Sequence, residues 1–186
     1  MNFKKLSVLF CSLLALTSVM AVSAAETETV SETEAASEEE STASGADKET
    51  EYPITIQHAY GETVIESKPE RIATVGWENQ DTPLALGIAP VGVSAANYGM
   101  VTENNLHPWT DEAFQELGVD APNVFDDVDG LDFEAISDCD PDVILASYSG
   151  LTQEDYDTLS QIAPVIPYKE NAWQTTWRDQ TIENAE

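Results

Sequence analysis

Four short segments carry the side chains best suited to holding a ligand: Gly76-Trp77-Glu78-Asn79-Gln80, Ala96-Asn97-Tyr98-Gly99, Ser147-Tyr148-Ser149-Gly150 and Ala172-Trp173-Gln174-Thr175-Thr176-Trp177-Arg178. Each sets aromatic or amide groups beside small neighbours. Rings offer rigid apolar area at a low cost in side-chain entropy, amides and hydroxyls fix orientation, and the Arg178 guanidinium can give several hydrogen bonds to anionic oxygens. This is the chemistry of recognition, and bond-breaking machinery is missing from it. Ser147 to Gly150 lacks the G-x-S-x-G spacing of a hydrolase nucleophile turn, and neither His58 nor His107 is placed to serve as its base. No enzyme is expected.

Metal chemistry finds equally little support. His58 and His107 are the only histidines, Cys139 stands alone in the folded part, and no H-x-x-x-H or C-x-x-C spacing occurs, so a protein-built zinc or haem site is not expected. The acidic run Asp126-Asp127-Val128-Asp129-Gly130 fails as a calcium loop. With Gly130 on the loop glycine, Phe125 falls at the first ligand position and Ile136 where a bidentate Glu is required. It reads instead as a turn into a helix capped by Asp132 and running through Ser137.

The elements that must position the four segments alternate between strand and helix. Ile54-Thr55-Ile56 and Thr63-Val64-Ile65 alternate about a break at Tyr60-Gly61, which predicts a hairpin. Buried strands are predicted at Ile72 to Val75, Pro90 to Val93, Val143 to Ala146 and Pro164 to Ile166. Helices are predicted from an Asn79 cap to Leu86, from Asp111 to Leu117, and after Thr152, whose spacing to Asp155 is near that of a capping box. The expected fold is an α/β domain with a mainly parallel sheet flanked by helices and preceded by a β-hairpin. Ligands collect at the carboxyl ends of such strands, which is where the four segments fall.

The ends and the composition add a location. Residues 1–24 read as a cleavable export signal: Lys4 and Lys5, an apolar run from Leu6 to Leu16, and Val22-Ser23-Ala24 before the cut. Cys11 follows Phe10 after too short an apolar run to serve as a lipid attachment point. Residues 25–51 are Glu, Thr, Ser and Ala with almost no large apolar side chain, which predicts a disordered acidic linker. Residues 52–186 suffice for one core. They carry 25 acidic and 4 basic residues, which argues against nucleic acid or an anionic membrane as partner.

At these segments the sequence resembles the iron-siderophore family of substrate-binding proteins of ABC importers, which have two α/β lobes joined by a rigid helix. The matching stretches include Ile56-Gln57-His58-Ala59-Tyr60-Gly61-Glu62, Lys68-Pro69-Glu70-Arg71-Ile72, Gly76-Trp77-Glu78-Asn79-Gln80-Asp81, Asp142 to Ala146 running on to Thr152, and Trp177-Arg178-Asp179-Gln180. The resemblance implies capture of a ferric siderophore in a shallow cleft and delivery to a membrane permease, with no cofactor and no protein ligand on the iron. It places Trp77, Asn79 and Gln80 on the cleft floor, Tyr98 and Tyr148 with Ser149 along its walls, and Trp173, Trp177 and Arg178 on the rim. A monomer outside the cytoplasm is expected, of which this chain is the N-terminal lobe, ending inside a helix begun near Thr176. Cobalamin or haem on the same fold, or a non-transport envelope role, are the competing readings. For Arg178 the competing reading is a surface ion pair with Asp179 or Glu183, and Arg71 is expected to pair with Glu70 or another local acid.

Overall fold

A computed structural model describes residues 50–185; the expected export signal, Cys11 and the acidic stretch before Thr50 lie outside them. The described chain begins with an antiparallel hairpin, β1 (Ile54–His58) and β2 (Gly61–Ile65), in register from Ile54 opposite Ile65 to His58 opposite Gly61. Gly61 has φ +124°, a conformation that suits glycine at the close of the two-residue turn.

Five parallel strands follow, β3 (Ile72–Thr74), β4 (Gly92–Ser94), β5 (Val124–Phe125), β6 (Val143–Ala146) and β7 (Val165–Pro167), ordered β5-β4-β3-β6-β7. The helices are α1 (Asp81–Ala85), α2 (Pro108–Glu116), α3 (Phe133–Asp138), α4 (Gln153–Leu159) and α5 (Trp177–Glu183). This is the α/β architecture expected from the sequence. The strand expected from Pro90 begins at Gly92, since Pro90 has no N–H to give and Val91 N–H instead donates to Ile72 O at 2.8 Å. β5 was not foreseen because two residues carry no periodicity.

Both faces of the sheet are covered, which explains why β6 reads as four consecutive apolar residues, all buried. On one face Val143, Leu145 and Ile166 pack under Ile65 and the hairpin, while Val93 meets Leu84, Leu106 and Phe114 from the α1–α2 region. On the other, Ala73, Ile144 and Val165 meet Ile136 of α3 and Leu159 of α4. Local signals set the helix starts as read: Asp132 accepts from Ala135 N–H at 3.0 Å, and Thr152 and Asp155 form a reciprocal capping box.

A polar latch holds the hairpin to this core. Tyr60 N–H donates to His58 Nδ1 at 3.2 Å, so the ring carries its proton on Nε2 and donates to Thr63 Oγ1 at 2.9 Å. Thr63 in turn donates to Val165 O at 2.7 Å. The Tyr60 and Tyr168 hydroxyls meet each other and Leu151 O, and burial pushes the Tyr60 phenol upward.

Burial lowers the His58 pKa below 6.5, because the charged imidazolium is disfavoured away from water. The unfolded chain then takes the second ring proton first, so the latch's stability is complete above pH 6.5 and is lost as pH falls through the lowered folded value. Urea midpoints measured at about pH 7.5 and about pH 5.5 should drop more for the wild type than for His58→Gln. An equal drop in both would remove His58 as the cause.

Candidate functional site

The sheet order reverses between β3 and β6: from β3 the chain winds outward to β4 and β5, then returns to β6 and winds to β7 the other way. Loops leaving the carboxyl ends of β3 and β6 therefore diverge, and a crevice opens between them. A cleft of about 360 Å³ lies there, lined by Gly76 and Trp77 after β3, Ser149 and Gly150 after β6, and Trp173 after β7. Asn97 and the segment from Asp127 to Leu131 close its far side.

The two loops touch at Gly76. A Cβ there would stand 2.7 Å from Tyr148 O and 2.8 Å from Ser149 Cβ, and its φ of +83° favours glycine as well. Trp77 N–H then donates to Tyr148 O at 3.1 Å. Two non-glycine residues here also hold left-handed backbone, Glu78 at φ 59° and Trp173 at φ 58°. Such conformations cost about 1–3 kcal/mol each and persist where surrounding contacts enforce them. For Trp173 those contacts are its N–H to Ser149 O at 3.1 Å and its indole lying on Gly150, where a Cβ would come within 2.5 Å of Nε1.

The rings form one continuous chain. Centroids lie 5.5 Å apart for Tyr148–Trp173, 5.3 Å for Trp173–Trp77, 5.0 Å for Trp77–Tyr98, 4.5 Å for Tyr98–His107 and 4.4 Å for His107–Trp109. Trp77 is 38%, Tyr98 39% and Trp173 46% exposed, a concentration of open aromatic surface at a strand-end crevice, which makes it the candidate binding site. These three are among the candidates named from the sequence. Sequence reading missed His107, buried between Tyr98 and Trp109, and the Asp127–Leu131 wall, which follows the unforeseen β5.

Asn79 is fully buried, which places it beneath the floor expected of it. Its Nδ2 donates to Val75 O at 2.8 Å and Tyr148 O at 3.2 Å, and its Oδ1 accepts from Tyr148 N–H at 3.2 Å, Gln180 Nε2 at 3.1 Å and Asn184 Nδ2 at 3.2 Å. Ser147 Oγ lies 3.0 Å from the same oxygen. So occupied, Asn79 does not cap α1; the cap position falls to Gln80, whose side chain makes no capping bond. Gln80 is buried too. It borders a hollow of about 20 Å³ with Ser94, Tyr98, His107 and Thr110.

Acids crowd this edge and cations avoid it. Burial, reinforced by the charge of Glu78 and opposed by His107, raises the Asp81 pKa to about 6. Burial and the hydrogen bond from its hydroxyl to Glu78 raise Tyr98 to about 12. Arg71 works at the opposite end of the sheet, donating to Asp140 O at 2.6 Å and standing 3.9 Å from the Asp140 carboxylate. Its expected partner Glu70 offers no such contact among the described residues; Glu70 N–H donates to Asp142 at 2.8 Å. Lys169 pairs with Glu183 at 3.2 Å. Arg178 lies over the Trp177 ring, 5.1 Å from its centroid. Neither Trp177, 72% exposed on the first turn of α5, nor Arg178 lines the cleft, and the expected rim is interrupted there.

The profile of the periplasmic binding protein family matches residues 72–186. Among solved structures, the chain is similar to Streptococcus pneumoniae TIGR4 PiaA in complex with ferrichrome, at 56% identity and a TM-score of 0.68, covering 71% of this chain and 43% of that one. It is similar to Staphylococcus aureus SirA complexed with staphyloferrin B at 26% identity and a TM-score of 0.54, covering 71% and 44%. A Bacillus subtilis (strain 168) relative named as an ABC transporter substrate-binding lipoprotein, YhfQ, is 28% identical over 127 residues, 68% of this chain and 36% of the relative. The chain thus spans less than half the length of each.

Asn79→Ala would leave Gln180, Asn184 and the Tyr148 backbone without their buried partner, and is expected to cost about 2–4 kcal/mol. Chemical denaturation should show the midpoint falling with an unchanged slope. A loss under about 0.5 kcal/mol would mean that the junction does not depend on this amide.

Proposed function

The chain belongs to the periplasmic binding protein family, and from that premise we propose that it is the ferric-siderophore-binding component of an ABC importer, these residues supplying one wall of the binding site. The observation that carries the proposal is the open aromatic chain Trp173–Trp77–Tyr98 at the point where the strand order reverses. Support comes from the similarity to PiaA and SirA, whose structures hold ferrichrome and staphyloferrin B.

A ferric siderophore is bulky and its iron is already wrapped in chelator oxygens, so the protein needs apolar faces and a few donors around it. Trp77, Tyr98 and Trp173 supply the faces, and Ser149 with the Asn97 amide borders the same cleft. Tyr148 backs Trp173 edge-on, and Asn79 and Gln80 support the floor from below. Arg178, flattened on Trp177, is set to donate to anionic oxygens of a chelate that reaches α5. The strain held at Trp173 keeps its ring over Gly150 before any ligand arrives, which lowers the ordering cost of binding.

The protein is read as a binding protein without chemistry of its own, exported, and acting with a membrane permease as a monomer. Among the described residues no helix is long and apolar enough to cross a membrane.

Tryptophan fluorescence tests the reading, since Trp77 and Trp173 line the cleft. Titration with ferric hydroxamate, ferric catecholate, haem and cobalamin should give saturable quenching at about micromolar concentration or below for a ferric siderophore, and Trp173→Ala should weaken it about tenfold or more. Saturable quenching by haem or cobalamin alone would overturn the proposal.

A further inference from the structure

The cleft has a sign of charge as well as a shape. Asp127 and Asp155 line it beside Trp77 and Trp173, and Glu78 borders the adjoining hollow beneath Tyr98. Among the described residues, no Lys or Arg lines either space. The Asp155 carboxylate accepts from Thr152 N–H at 2.9 Å and Thr152 Oγ1 at 2.7 Å, and Glu78 accepts from the Tyr98 hydroxyl, so both acids are held by neutral donors. The ion pairs among the described residues, Arg71–Asp140 and Lys169–Glu183, involve none of the three.

We propose that Glu78, Asp127 and Asp155 make the cleft a charge filter, admitting neutral and cationic ferric tris-hydroxamates and excluding trianionic ferric tris-catecholates. The proposal rests on the siderophore reading and names the class within it. Its chemistry is charge counting: each hydroxamate brings one negative charge to Fe(III) and each catecholate two, so three of the first give a neutral complex and three of the second a trianion. A concave wall of one sign with apolar sides focuses its field into the opening, and like charges brought together across a contact are strongly disfavoured. The rings contribute to the same selection. Their faces accept apolar groups and cations, and offer nothing to an anion.

Three ferric complexes decide the matter, a neutral tris-hydroxamate, a monocationic linear tris-hydroxamate and a trianionic tris-catecholate, each titrated at about 0.01 M and about 1 M salt. At low salt the trianion should bind at least about tenfold more weakly than the neutral complex, and the gap should shrink at high salt, where screening acts within a few ångströms. A Glu78→Gln, Asp127→Asn double variant should tighten the trianion relative to the neutral complex at low salt. Trianion binding equal to or tighter than the neutral complex at low salt overturns the filter and leaves the siderophore reading intact. A gap untouched by salt and by the double variant also overturns it, since selection would then lie in shape. Failure of all three complexes to bind overturns the siderophore reading itself.

Discussion

The site depends on how closely the carboxyl ends of β3 and β6 are held together. Gly76 leaves no room for a side chain against Tyr148 O and Ser149, and Asn79 fastens the same two loops from below while reaching Gln180 and Asn184 on and beside α5. One buried amide thus joins three segments far apart in sequence. In a low-dielectric interior such a network is rigid when every member is satisfied and costly when one is lost, which gives the loops above it a fixed base. The aromatic rings can remain half exposed because the backbone beneath them is not free to collapse.

That base explains where strain is tolerated. Trp173 and Glu78 both adopt left-handed backbone at the crevice; Ser149 and Gly150 hold the Trp173 backbone and indole, and the Tyr98 hydroxyl donates to the Glu78 carboxylate. Trp173 is set over a glycine and aligned with Trp77, while Glu78 lies where its charge bears on Asp81 and Tyr98. Shape and electrostatics at the cleft follow from one local geometry.

Much of this was legible in the sequence where the signals are local. Val143 to Ala146 stands out because both faces are covered, Asp132 and Thr152 announce their helices through hydrogen bonds spanning three residues, and the hairpin shows in its alternation. The rule that ligands gather at strand ends picked out Trp77, Tyr98 and Trp173, and the fold brings these three rings together at the crevice. What could not be read depends on distant partners. An asparagine before a helix looks like a cap, and only the fold reveals that its amide is engaged by Ser147, Tyr148, Gln180 and Asn184. The two-residue β5 gave no pattern, so the Asp127–Leu131 wall it positions was read merely as a turn. Trp177 and Trp173, four residues apart, differ because the left-handed Trp173 turns into the cleft whereas Trp177 begins an exposed helix turn.

Iron itself can report whether this crevice is the binding site. Anomalous diffraction at the iron edge, from crystals of the protein with a ferric tris-hydroxamate bound, should show a single iron over the cleft lined by Trp77 and Trp173, beside the Tyr98 ring, its coordination sphere filled by the chelator. An iron positioned away from these rings, or one ligated directly by a protein carboxylate or histidine, would contradict the account.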